Sequence, residues 1–505
     1  MIARRQRVFA VAVAGLLALP VLRVPGAVAA LGAPLAAQQT RSWPSERPPR
    51  PLSPRPVNFP AYDLRTLANG LQLVVVPHHE QPAVNIRMLM QAGSAYDPKD
   101  NAGVANLMAS LLDQGTTTRS AAEIADTIDS IGGGLNTGAG TDLTFMSVLV
   151  MKDNFQLGLE LLSDVVRNPA FDPAELERQR QQTLSNLQVN YEDPDYLANA
   201  VFDRLVYGFH PYGMPISGTP DSIRRISRDD IREFHRRYFA PNNALMAIVG
   251  DVTTDEAFAA ADRVFGKWER RQIDVPVFAE PPKPTRRVML IDKPDAVQTE
   301  IRAGQLGIPR KHRDYMALNL AMKILGGEGA NRLYRVLRTE RGLTYGASAD
   351  MEAFRDSGDF VAETDTRSDA TGDALRLMIE EFFKLQRDQP DERELLDAQA
   401  YLTGSFPITI ETPNAIATQI LNALVYGLSL DELQTYRDRV NTVRVDDTMR
   451  VARYYLQPDR LSIVLVGNAS AFRQQLQRAG FDKYEVVPLS DLDLTAADFR
   501  KRLSP

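Results

Sequence analysis

The residue types that could do chemistry are few. The 505-residue chain has five His and no Cys. Without Cys there is no thiolate nucleophile, no disulfide, no Cys-ligated zinc or iron–sulfur cluster, and no N-terminal Cys to carry a lipid. His78 and His79 are adjacent at a strand end, so their side chains diverge. His210, His235 and His312 have no His or carboxylate three or four residues on in an arrangement suited to a metal. All five read as solvated or structurally hydrogen-bonded groups, and no metal is expected in this chain.

Residues 88–116, MLMQAGSAYDPKDNAGVANLMASLLDQGT, have a more specific pattern. A strand should end near Ala92-Gly93-Ser94, a polar loop follows, and a helix begins near Ala102. Val104, Leu107, Met108, Leu111 and Leu112 recur at helical spacing as an apolar stripe. Asn106 and Ser110 are four apart and share a face, with Ala109 beside Ser110.

This segment resembles the active-site segment of the insulinase/pitrilysin family of zinc metallopeptidases, the inverzincins. Their helix carries H-x-x-E-H, in which two His one turn apart bind zinc and the Glu activates the zinc-bound water. The flanks A-G-S-x-x-D-P and L-L-x-x-G-T are retained. Asn106 and Ser110 stand where the resemblance places the His ligands, Ala109 where it places the base, and Asn186 where it places a third, Glu ligand on a later helix. Asn and Ser are poor zinc ligands beside imidazole and carboxylate, and Ala transfers no proton. The resemblance runs from Leu64 to about Leu494, through His210-Pro211-Tyr212-Gly213 and Asp292-Lys293-Pro294.

Further along, residues 331–346 read NRLYRVLRTERGLTYG. In the insulinase family an Arg and a Tyr seven residues later lie across the cleft and hold the substrate backbone and the oxyanion. Arg338 and Tyr345 match that pair. A cation and a phenol donor suit the negative charge that a peptide carbonyl gains during attack. Spacing alone equally fits an Arg neutralising a helix C-terminus and a Tyr in a strand. Gly326-Gly327-Glu328-Gly329 falls where the non-catalytic subunit of mitochondrial processing peptidase has a glycine-rich substrate loop, although a helix C-cap and turn would read the same. Gly134, Leu135 and Asn136 match the edge strand that pairs with substrate backbone in catalytic relatives, and a plain glycine turn is the alternative.

The elements that must position these residues come in duplicate. Tyr238-Phe239-Ala240-Pro241 leads into the apolar run 244–250, and Tyr455-Leu456-Gln457-Pro458 leads into 461–467; Pro458 follows Pro241 by 217 residues. The helical segments 155–166 and 174–187 recur as 374–385 and 392–402 at nearly the same offset. Repetition at a near-constant offset means gene duplication. Strands such as 71–76, 143–150 and 245–249 alternate with long amphipathic helices. The expected fold is therefore α+β: two homologous domains, 61–270 and 286–505, each a mostly antiparallel or mixed sheet covered by helices. A Pro-rich linker spans 271–285. By the resemblance, the pair forms half of a clam-like chamber.

Arg4, Arg5 and Arg7 precede an apolar stretch and small residues ending near Ala37, the pattern of a cleavable export signal over 1–37. A Pro-rich segment, 38–60, should be an extended lead-in. Export without Cys suits a bacterial periplasm or secretion. With 58 Lys plus Arg against 64 Asp plus Glu, the net charge of −6 excludes a general nucleic-acid binder. No later segment is long and apolar enough to span a membrane. By the resemblance, the chain is a non-catalytic subunit, supplying Arg338 and Tyr345 to a homologous partner that carries H-x-x-E-H and the zinc, with an unfolded peptide as substrate. The alternative is a structural or peptide-holding protein of the same fold.

Overall fold

The computed structural model describes residues 58–502, apart from Glu328 and Ala330. The expected export signal lies outside the described residues, as does the Pro-rich segment except for 58–60, where Phe59 is buried.

Twelve strands form two six-stranded sheets. The first half contributes β1 (Asp63–Thr66), β2 (Gln72–Pro77), β3 (Ala83–Met90), β4 (Gly134–Ala139), β5 (Thr144–Met151) and β6 (Ala244–Gly250), in the order β1-β2-β6-β3-β5-β4. The second contributes β7 (Arg287–Asp292), β8 (Gln298–Leu306), β9 (Ala347–Ala353), β10 (Gly358–Arg367), β11 (Ser462–Gly467) and β12 (Glu485–Pro488), in the order β12-β7-β11-β8-β10-β9. In each sheet one pair descended from the duplication is parallel, β2 with β6 and β7 with β11, while the three strands toward the far edge are antiparallel. The halves differ at the near edge. There β1 pairs antiparallel with β2, whereas β12, from the C-terminal end, pairs parallel with β7.

The halves are α+β, as the patterning predicts. The helices Phe155–Arg167 and Thr371–Arg387 pack on their own sheets, each amphipathic with its apolar stripe inward. Between the halves, no helix or strand forms from 269 to 286.

Each sheet is also covered on its second face by a helix from the other half. The helix Pro194–Tyr207, the first crossing helix, packs on β8 and β11. The helix Pro413–Val425, the second crossing helix, packs on β3 and β6. Both start with Pro behind a capping Asp193 or Thr412, an arrangement that satisfies orphan N–H groups and pre-sets the first turn. Both faces of the central strands are thus covered, and every residue of β6 and β11 is buried.

Buried carboxyls lie inside this packing, Asp359 among them. Asp359 of β10 is buried and accepts a hydrogen bond from the Tyr207 hydroxyl at 2.7 Å, with Tyr207 at the end of the first crossing helix. Burial pushes Asp359 up to about 7, Glu352 adding to the rise and the Tyr207 hydroxyl opposing it; Asp203, on the same crossing helix, feels the Asp359 charge in turn. A carboxyl raised in the folded state contributes stability that is fully present below the unfolded value, near 3.9, and is lost as pH rises through about 7. Thermal melting from pH 5 to 8 should therefore show Asp359→Asn gaining on the wild type as pH rises, with the gain levelling off above about 7.

Candidate functional site

The segments on either side of Asn106, Ala109 and Ser110 hold their helix in place. Gly93 sits where a Cβ would lie 2.3 Å from the Gly140 carbonyl oxygen, so only glycine lets the two loops meet. Asp97 accepts from the Gly103 and Ala105 N–H groups at 2.6 and 2.8 Å and so fixes the start of the helix Val104–Ala109. On the other side, Thr116 donates to Asp164 at 2.8 Å. The helix is shorter than its apolar stripe suggests. Leu111 and Leu112 donate back to Met108 and Ala109, and the chain tightens into turns.

The residues in the ligand positions are occupied elsewhere or inert. The Ser110 hydroxyl donates to the Leu107 carbonyl at 2.8 Å. Ala109 is fully buried, and its carbonyl accepts from Thr137 of β4 at 2.8 Å. Asn186 is exposed on the helix Pro173–Glu192, where its amide oxygen accepts from Gln182 at 3.0 Å. That helix packs beside Val104–Ala109. An open depression of about 830 Å³ runs along it past Arg180, Leu184, Gln188 and Tyr191, without including Asn186. Zinc, the metal that the resemblance implies, does not fit this donor set: two amides, one hydroxyl already donating, no carboxylate and no imidazole. Among the described residues no group of three His, Asp or Glu side chains gathers as a metal site.

Four of the five His have hydrogen-bond partners, while the Nδ1 of His78 is buried without one. His235 Nε2 meets the Val166 carbonyl at 2.8 Å, and burial lowers it to about 4. His210 and His312 accept from the Tyr212 and Asp314 N–H groups. His79 pairs with Asp251, and His78 lies 4.0 Å from Glu80.

The residues expected from the sequence to face substrate fall in two places. Gly134, Leu135 and Asn136 open β4, which pairs with β5 and forms the outer edge of the first sheet. Leu135 packs on the core, Asn136 is exposed, and the free edge of β4 offers unpaired backbone groups. In the second half, Arg338 lies in a π-helical segment, Tyr334–Glu340. Its guanidinium donates to the Tyr345 carbonyl and lies over the Tyr334 ring, 5.2 Å from the centroid. Tyr345 is in the loop before β9 rather than in the strand, and is 81% exposed. The pair is thus joined through the backbone and by the guanidinium over the Tyr345 ring, 6.0 Å from its centroid, with the phenol exposed. Gly326 ends the helix Tyr315–Gly326 against β9, where a Cβ would meet the Ala349 nitrogen at 2.0 Å, and Gly327 caps that helix.

Comparison with known proteins matches two family descriptions: "Insulinase (Peptidase family M16)" over residues 73–219, and "Peptidase M16 inactive domain" over residues 225–402. An uncharacterized zinc protease of Bacillus subtilis is 24% identical over 76% of this chain and 94% of its own length. One from Mycobacterium leprae is 28% identical over 72% and 82%. Among solved structures, the peptidase M16 inactive domain from Pseudomonas fluorescens superposes with a TM-score of 0.76 at 28% identity, covering 80% of this chain and 98% of that one.

The donor set leads to one expected outcome. Protein purified with excess zinc and then desalted should retain well below one zinc per chain by elemental analysis. Stoichiometric zinc that Asn106→Ala removes would contradict the assignment.

Proposed function

This chain belongs to the insulinase (M16) peptidase family and is of its non-catalytic type; from that premise we propose that it is the non-catalytic subunit of an exported two-chain peptidase. The reading rests on one contrast. The zinc-site positions Asn106, Ala109, Ser110 and Asn186 carry no metal chemistry, while Arg338 and Tyr345 remain joined at the surface of the second half. In this reading a homologous H-x-x-E-H chain supplies zinc and base. Arg338 and the Tyr345 hydroxyl stabilise the oxyanion, and unfolded peptide adds to the free edge of β4 at Gly134, Leu135 and Asn136. The loop at Gly326 and Gly327 lies beside the second edge strand, β9, on the peptide's path. Export through the N-terminal basic-apolar segment places both chains in the periplasm or outside the cell. Among the described residues no helix is long and apolar enough to cross a membrane.

The isolated chain should hydrolyse no peptide, with activity appearing on mixing with the H-x-x-E-H partner. In that pair, Tyr345→Phe should lower turnover on the order of a hundredfold, because removing one oxyanion donor costs that much, while KM and assembly change little. The exposure of the phenol makes the structural control clean: the melting temperature should not move. Unchanged turnover in an assembled pair would leave the peptide-holding role of β4 as the function.

A further inference from the structure

The two halves treat one arginine in opposite ways. Arg302 of β8 and Arg87 of β3 are equivalent. Arg302 pairs across the sheet with Glu363 and Val464, and Arg87 with Ser147 and Ala247, in the same register. Each side chain points to the face covered by the other half's crossing helix and reaches that helix's second residue: Arg302 donates to Asp195, Arg87 to Asn414 at 3.2 Å.

Their surroundings differ in charge. Arg302, 1% exposed, forms ion pairs with Asp195, with Glu300 at 3.3 Å and with Glu363 at 3.6 Å. The residues equivalent to those three carboxylates around Arg87 are Asn414, Asn85 and Ser147, all neutral. Among the described residues Arg87 has no ion-pair partner. Its Nε is buried without a hydrogen bond, and so is Oδ1 of Asn85, which is 2% exposed. The Asn85 amide nitrogen donates to Ser147 at 3.2 Å, so the polar atoms are gathered and only partly satisfied. Desolvation lowers the Arg87 guanidinium from its usual range, with no anion to offset it. The Phe145 ring, 4.8 Å away, braces the guanidinium. Asn414 and Leu149 at the rim are exposed, so the site opens to solvent.

We propose that Arg87, with Asn85, Ser147 and Asn414 around it, is a binding site for a carboxylate supplied from outside the chain. Leaving a half-buried cation unpaired is costly, and a planar carboxylate fits a guanidinium fork with two parallel hydrogen bonds. The N-terminal end of the second crossing helix adds attraction for negative charge. Asn136 of β4 stands two strands away in the same cross-sheet row, Asn136–Ser147–Arg87, so the carboxylate site and the free sheet edge share one face. The carboxylate is that of a peptide, either at its C-terminus or on an acidic side chain.

The test is isothermal titration of the full chain with three short N-acetylated alanine-rich peptides. The first has a free C-terminus, the second is amidated with one Glu, and the third is amidated without Glu. The ¹⁵N–¹H signal of Arg87 Nε is followed in parallel. The expected result is that the first or second peptide binds and shifts that signal, while the third binds at least about tenfold more weakly; whichever carboxylate peptide binds identifies the source. Arg87→Gln should remove the difference between the peptides without lowering the melting temperature. Asn414→Asp, which restores the carboxylate that Arg302 finds in Asp195, should raise the melting temperature and weaken carboxylate binding about tenfold or more. Equal affinity for all three peptides, no binding by any, or affinities unchanged in Arg87→Gln would overturn the site. The titration needs no zinc partner and no turnover, so it stands or falls apart from the proposed catalytic role.

Discussion

Each sheet in this protein is covered on both faces, and its own half supplies helices for only one. The other face is closed by a helix lent across the duplication: Pro413–Val425 over the first sheet, Pro194–Tyr207 over the second. Removing the second crossing helix would uncover Val74, Val76, Leu89, Leu245 and Val249, all now buried. At roughly 1.5–3 kcal/mol per side chain, that is on the order of 10 kcal/mol, comparable to the whole stability of a typical domain. The halves therefore cannot be independent folding units, and the 269–286 connection joins two parts that already need one another.

Much of this was legible in the chain. The repeat offset placed the helices and the central strands to within a few residues, because apolar runs bounded by Pro turns survive duplication. The all-buried character of β6 and β11 is written in their unbroken apolar sequence, which itself implies cover on both sides. What covers the second face was not legible. The crossing helices carry no sharp amphipathic stripe, since they touch the other half's sheet on one side and their own half's elements on the other. Tyr345 reads as a strand residue by propensity but sits in a loop, because Arg338 ties up its carbonyl before β9 begins. The Arg87 cluster left a signal that only alignment of the halves brings out: Asn85-Ile86-Arg87 against Glu300-Ile301-Arg302.

That the chain matches the flanks of the family's zinc segment but not its ligands has a physical cause. Gly93 and Asp97 have backbone roles. The first permits two backbones to meet, and the second holds the start of a helix whose other residues form the core. The ligand positions are different. Asn106, Ser110 and Asn186 are at least partly exposed and face no packing demand that only His or Glu could meet. Such positions can take other residues at little cost to stability, while the flanks are held by packing.

The same reasoning separates Arg87 from Arg302. Both hold equivalent places in a duplicated sheet, so packing alone would favour the same neighbours for each. In the second half the interior is closed, the arginine is 1% exposed, and three acids surround it. Burial pushes one of them, Glu300, up to about 7, with Arg302 opposing the rise and Asp195 and Asp365 adding to it. In the first half the corresponding face opens beside β4, and neutral groups stand in place of all three acids, leaving the guanidinium without a counter-ion and its Nε without a hydrogen bond. A position under packing constraint alone would have lost the charge along with its partners, since an apolar or amide side chain would sit there at lower cost. Keeping the cation while dropping every counter-ion points to a charge supplied by whatever occupies that open face.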